Sequence, residues 1–249
     1  MMIWTTINVK LLKIVNSILK GRVTIFSRSQ LRSHNLQDLC IDFFIYKSKG
    51  VLHIGAFDGK QFAKHYNSFS KPVIWIEAND LIFPILKQTI SDFPNQRAFN
   101  LLLGGSKKIV KFFEYTNLGS SSIFPMNERN PWNLRTQLSR NLPMTTLSEH
   151  FTVGDISEFD FWVIDTQGAE LEVLKGSREL LKSCCRYLYL EVSNNTEYLG
   201  GAEYKEIQTF LRSNGFVAAW DFSGFHGDVL FINSKSVNHN IKADSFTFN

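Results

Sequence analysis

Three carboxylates stand where apolar runs end, and a fourth follows one of them closely. Glu77 closes VIWIE, Asp165 follows FWVI, Glu191 lies near the end of YLYLEVS, and Glu170 follows Asp165 by a few residues. Acids in such places are unfavourable unless paired or functional. A carboxylate at a strand end accepts hydrogen bonds from a ligand's hydroxyl groups, and one beside a substrate hydroxyl can take its proton as general base. Upstream, VLHIGAFDG (residues 51–59) has the form of a strand turning sharply into a helix, with Gly55 at the turn and Gly59 letting the helix approach a ligand. Glu77 comes about 22 residues after Gly55, a separation at which a carboxylate can bind both hydroxyls of a ribose. The pairing points to an adenosine compound without naming it.

Two features separate the candidates. The glycines do not spell the G-x-G-x-x-G of a pyrophosphate cradle. The chain also closes with two strand-like runs, residues 216–222 and 228–232, joined by a connection too short for a parallel crossover, so they must pair antiparallel. Both suit a methyl-donating adenosine cofactor, S-adenosylmethionine, better than a dinucleotide. That cofactor carries no phosphate, and its sulfonium is served by nearby acids such as Asp58. A nicotinamide-dependent oxidoreductase and a non-catalytic adenosine-ligand-binding module remain the competing readings.

The elements that must position these residues alternate. A helix is expected over residues 35–48, strands over 50–54 and 73–76, and a helix to Ile90 capped by Asn79 or Asp80. A third strand is expected over residues 97–103, stopped by Gly104 and Gly105, and a further strand over 109–115. Residues 117–142 are polar and too long for a plain connection, so they form a binding loop, a lid or a small inserted piece. Strands over 159–164 and 187–192 follow, with one helix after Gly168 and another over 202–214. The alternation predicts an α/β fold with a doubly wound, mostly parallel sheet.

Composition narrows the class. The chain has 249 residues, 44% of them apolar, enough for one large domain with a full core. A net charge of +4 is too small and dispersed to argue for nucleic acid. Three cysteines, two of them adjacent, form neither a disulfide framework nor a zinc motif, so a reduced, cytoplasmic protein is expected. Residues 1–34 carry basic residues and no acid, and no apolar run there is long enough to span a membrane. They read as an amphipathic extension, packed on the domain or touching a membrane surface peripherally. The domain is expected over residues 35–234, with a polar tail over 235–249.

VLHIGAFDG, Tyr66, VIWIEAND, GSSSIF, the TTL at Thr145, DTQGAELEVLKG and LEVS, in this order and spacing, resemble the FkbM family of methyltransferases over roughly residues 50–232. The His53 form and IEA segment are similar to its sugar O-methyltransferase branch. Asp80 stands where that branch often has proline, and residue 57 is Phe where His or Asn is common. The resemblance implies a class I, seven-stranded Rossmann-like fold using S-adenosylmethionine, and methyl transfer to an oxygen of a sugar or glycan. It places Gly55, Ala56 and Gly59 along the methionine and ribose, Glu77 on the ribose hydroxyls, Asn79 near the adenine, and Gly104 and Gly105 flanking it. His53 would orient the methionine part or serve as a core histidine. Asp165, Glu191 and His226, in that order, are the candidate bases. Ser120, Ser121, Trp132 and Glu170 are the candidate acceptor contacts, Trp132 by stacking on a sugar. Asp165 and Glu191 could instead hold a divalent cation, but the sequence offers no evident third ligand.

Overall fold

The computed structural model describes residues 36–128, 133–194 and 197–236. The expectations for residues 1–34, for Trp132 and for the tail beyond residue 236 lie outside the described residues. In chain order the elements are α1 (Leu36–Lys47), β1 (Val51–Ile54), α2 (Ala63–Ser68), β2 (Val73–Glu77), α3 (Phe83–Thr89), β3 (Gln96–Asn100), β4 (Leu102–Leu103), β5 (Lys108–Tyr115), β6 (Thr136–Thr145), α4 (Leu147–His150), α5 (Val153–Ile156), β7 (Phe161–Ile164), α6 (Glu170–Gly176), α7 (Arg178–Cys184), β8 (Tyr187–Ser193), α8 (Tyr204–Ser213), β9 (Phe216–Ala218) and β10 (His226–Asn233).

Seven strands form one sheet in the order β3-β2-β1-β7-β8-β10-β9. All neighbours are parallel except the two pairs that β10 makes. Every residue of β1, β2 and β7 is buried, which is why these strands read as continuous apolar runs rather than as alternating ones. The buried indole of Trp75 donates to Gln96 Oε1 at 3.0 Å, and Gln96 Nε2 donates to Ala63 O at 2.8 Å, tying β2, β3 and α2 together without an orphaned polar group.

The register matters most for function. Ile54 pairs with Ile76 on one side and Ile164 on the other, Ile164 pairs with Leu190, and Glu191 pairs with Asp228. The next residues along these strands therefore lie in one row at the carboxyl edge of the parallel strands: Glu77, Gly55, Asp165, Glu191, with Asp228 beside the last. A one-residue slip in any pair would send that side chain to the other face.

Three local expectations are corrected, and a fourth, which left alternatives open, is settled. The run 97–103 is two strands, because the chain leaves the main sheet after Asn100 and β4 pairs with β6 in a separate three-stranded sheet, β4-β6-β5. The polar segment 117–142 contains much of β6, which pairs antiparallel with β5, so it is an inserted piece. The helix after Gly168 is two, α6 and α7, meeting at Ser177, whose hydroxyl bonds back to Val173 O and Leu174 O. Asn79 does not cap α3; its Oδ1 accepts from Leu81 N in a local turn, and Ile82 holds the cap position without a side-chain bond.

Candidate active site

Gly55 turns the chain at φ +80°, and a Cβ there would lie 1.6 Å from Asp165 O. Only glycine lets the β1 turn and the end of β7 approach this closely. The turn is then fastened by Glu77. Its Oε2 accepts from Phe57 N at 2.7 Å and its Oε1 from Asn79 N at 2.7 Å. Phe57 is held at φ +49°, a left-handed conformation costly for a bulky residue. Burial raises the Glu77 carboxyl above the ordinary range, and the backbone N–H groups of Asn79 and Phe57 oppose that rise.

Beyond this turn lies a cleft of about 220 Å³, walled by Gly55, Phe57, Glu77, Leu101, Ser121 and Asp165 among others. A second cavity of about 600 Å³ has Asp42, His53, Phe62, Tyr189, Glu191 and Asp228 in its wall. Among the described residues, Gln61 and Asp165 border both.

Asp165 and Glu191 are linked through one amide. Gln167 Nε2 donates to Asp165 Oδ1 at 2.6 Å and to Glu191 Oε2 at 3.0 Å, while Gln167 Oε1 accepts from Tyr198 Oη at 2.8 Å. Burial, followed by the charges of Asp165 and Glu170, pushes Glu191 well above the ordinary carboxylate range. Burial and then Asp165 push Asp228 up to about 6. Glu170 is 3% exposed, and its Oε1 accepts from Thr166 N, Thr166 Oγ1 and Gly168 N, so it fastens the loop after β7. Burial raises it to about 7. His226 Nε2 lies 3.1 Å from Glu191 Oε1, and its Nδ1 3.3 Å from Glu197 Oε2.

The other sequence-predicted residues divide. His53 is 3% exposed, stacks on Trp75 and bonds Tyr66 Oη through Nδ1 at 3.0 Å; it lines the larger cavity, not the cleft. Ala56 is buried behind the turn, where its N–H donates to Ile76 O. Asp58 pairs with Lys60 at 2.8 Å. Gly59 faces Leu86 of α3. Gly104 and Gly105 face Met144 and Glu172, because the crossing to the second sheet puts Leu101, Leu102 and Leu103 on the cleft in their place. Ser121 lines the cleft rather than the larger cavity, and Ser120 O accepts from Tyr198 Oη at 2.9 Å. Gln61, Gln167, Tyr198 and Glu197 carry site contacts that the sequence reading did not single out. Only Gln167 had a signal, its place between Asp165 and Gly168.

The cleft suits an adenosine ligand. Each Glu77 oxygen retains acceptor capacity beyond its one backbone donor. Next to it, Asn79 is 1% exposed, its Nδ2 has no hydrogen-bond partner, and it stands outside the cleft wall. Counting only its own seven strands, the main sheet runs 3-2-1-4-5-7-6 with the seventh antiparallel. This order, with a glycine turn and a carboxylate at the end of the second strand, defines a class I methyltransferase dependent on S-adenosylmethionine.

The family described as the methyltransferase FkbM domain matches residues 53–218, and the chain belongs to that family. No curated protein is significantly similar to it. Among solved structures, the methyltransferase FkbM from Methylobacillus flagellatus KT is 15% identical, with a TM-score of 0.46 over 74% of this chain and 43% of that one. This chain thus spans less than half the length of that protein. A SAM-dependent methyltransferase from Aquifex aeolicus is 14% identical, with a TM-score of 0.44 over 87% and 97% of the two chains. Magnesium protoporphyrin IX methyltransferase from Synechocystis PCC 6803, solved with bound SAM, is 11% identical, with a TM-score of 0.42 over 88% and 89%.

Proposed function

We propose that the protein is an O-methyltransferase whose acceptor is a hydroxyl group of a sugar or glycan. The observation that carries this reading is that Asp165 borders both cavities. A cofactor in the cleft and an acceptor in the larger cavity meet at that carboxylate.

S-adenosylmethionine supplies a methyl group on a positively charged sulfur when bound in the cleft. The chain supplies the rest. Glu77 fixes the adenosine end, and Gly55 lets the other end lie against Asp165. The amide of Gln167 holds Asp165 Oδ1, so the carboxylate keeps one orientation. Held in this way, Asp165 is the group placed to accept a hydroxyl proton as the oxygen is methylated, with Glu191, raised well above the ordinary carboxylate range by burial, beside it. Holding the oxygen in line with the transferred methyl supplies a large share of the rate. The larger cavity suits a polyhydroxylated ring: Phe62 and Tyr189 offer aromatic faces, and Asp42 and Asp228 offer hydroxyl acceptors.

Calorimetric titration with adenosylhomocysteine and, separately, with NADH and NADPH tests the cofactor half. The expected outcome is micromolar or tighter binding of the first and none of the others; the reverse pattern would establish the oxidoreductase reading. Assay of neutral sugars, small alcohols, lipids and peptides as methyl acceptors tests the acceptor half. Methylation confined to non-sugar acceptors would overturn the sugar assignment. Among the described residues no helix is long and apolar enough to cross a membrane. A peripheral membrane contact through residues 1–34 remains a proposal, which liposome flotation with and without them tests.

A further inference from the structure

The rim acids have a feature that the methyl-transfer reading does not use. One carboxylate oxygen from each of Asp165, Glu170 and Glu191 lies within 4.8 Å of the others. Among the described residues no lysine or arginine pairs with any of the three; their partners include Gln167, Thr166, Gly168 and His226, which leave each carboxylate further acceptor capacity. Beside them is a small cavity of about 20 Å³, walled by Glu170, Glu191, Glu197 and His226 among others. That is room for one ion or one water. In its wall stands Glu197, whose side chain is 5% exposed and whose Oε1 has no hydrogen-bond partner. Glu197 is not one of the three clustered acids. An unsatisfied buried carboxylate oxygen is among the most costly groups a fold can hold.

We propose that this rim holds one hard divalent cation of the Mg²⁺, Mn²⁺ or Ca²⁺ type, with Asp165, Glu170 and Glu191 as ligands and Glu197 Oε1 completing the sphere directly or through a bound water. The spacing fits. Oxygen ligands about 2.4 Å from Ca²⁺ stand up to about 4.8 Å apart across the ion, and those about 2.1 Å from Mg²⁺ up to about 4.2 Å. All of the carboxylate ligands are hard oxygens, which selects these ions over thiophilic metals. Glu191 walls both this small cavity and the larger one that Asp165 borders, so a cation held by it would stand near the acceptor hydroxyl and ease its deprotonation. This role rests on the proposed acceptor site; the binding itself does not.

The test uses the full-length protein, stripped with EDTA and desalted, then titrated with Mn²⁺ by electron paramagnetic resonance and with Mg²⁺ and Ca²⁺ by competition. The expected result is one Mn²⁺ per chain, displaced by Mg²⁺ or Ca²⁺, with affinity at least about tenfold weaker in Glu191→Gln and in Glu197→Gln. Glu170→Gln is less informative, because Glu170 also fastens its own loop. Adenosylhomocysteine binding, measured on the same samples, shows that each variant is folded. Absence of saturable Mn²⁺ binding in the native protein overturns the proposal and assigns the small cavity to water. Equal affinity in both variants also overturns it. Loss of the methyltransferase reading would appear instead as absent adenosylhomocysteine binding with Mn²⁺ binding intact.

Discussion

Replacing Glu77 by glutamine tests the cofactor end with almost no change in shape. In the native chain the two carboxylate oxygens accept from Phe57 N and Asn79 N, both at 2.7 Å. Glutamine has one acceptor oxygen, so its NH₂ must face one of those N–H groups. One charge-assisted bond is lost, worth about 1.5–3 kcal/mol. If the lost partner is Phe57, the hydrogen bond that fastens its backbone at φ +49° is gone and the turn is free to relax. Carried into binding, the same energy weakens adenosylhomocysteine by about 10- to 150-fold. Calorimetry reads the affinity, and circular dichroism confirms that the variant is folded. A folded variant that binds within twofold of the native protein would refute the reasoning, since Glu77 would then neither set the turn nor reach the ligand.

Other consequences follow from the same geometry. Burial lowers His53 from 6.5 to about 3, so the native state keeps it neutral while the unfolded chain takes up a proton. Its contribution is complete above the unfolded value and is lost as the pH falls toward 3, about 2 kcal/mol between pH 7.5 and 5. Urea denaturation of His53→Phe should therefore show a shallower fall over that range; parallel curves would contradict it. Gly55→Ala should abolish adenosylhomocysteine binding and lower Tm, because its Cβ would lie 1.6 Å from Asp165 O; native-like binding would show that the turn is looser than described. Arg140 joins the small sheet to the turn after β2, pairing with Asp80 Oδ2 at 2.8 Å and with the buried Glu114 at 2.8 Å. Arg140→Ala should cost about 1–3 kcal/mol of stability, the lower part of the range for breaking a buried pair because Arg140 is partly exposed. It should also weaken adenosylhomocysteine, and an unchanged Tm would contradict the account.

The parts of the fold that could be read from the sequence are those whose signal is local. β1, β2, β7 and β8 are short apolar runs bounded by glycine or by the functional acids themselves, so strand ends and site residues were marked by the same letters. The hairpin followed from connection length, although its first strand stops at Ala218 rather than Phe222. What escaped is decided between segments. Nothing near Asn100 announces that the chain changes sheets there; Asn100 Nδ2 donates to Glu77 O, a partner far away in sequence. β6 reads as polar because most of its residues are exposed, yet Arg140, Leu142 and Met144 share one face. Asp80, a departure from the related branch, became intelligible only once Arg140 was seen beside it. The third acid of the rim was visible as Glu170, but its convergence with Asp165 and Glu191 depends on the loop that Gln167 bends at φ +56°.

The most direct measurement is transfer of an isotopically labelled methyl group from S-adenosylmethionine to a glycan panel, read by mass spectrometry, in the native protein and in Asp165→Asn. The account predicts a labelled sugar hydroxyl with the native chain and a loss of about 100-fold or more in the variant, with adenosylhomocysteine binding retained. Equal transfer by the two proteins, or no labelled product from a native chain that binds the cofactor, would contradict it.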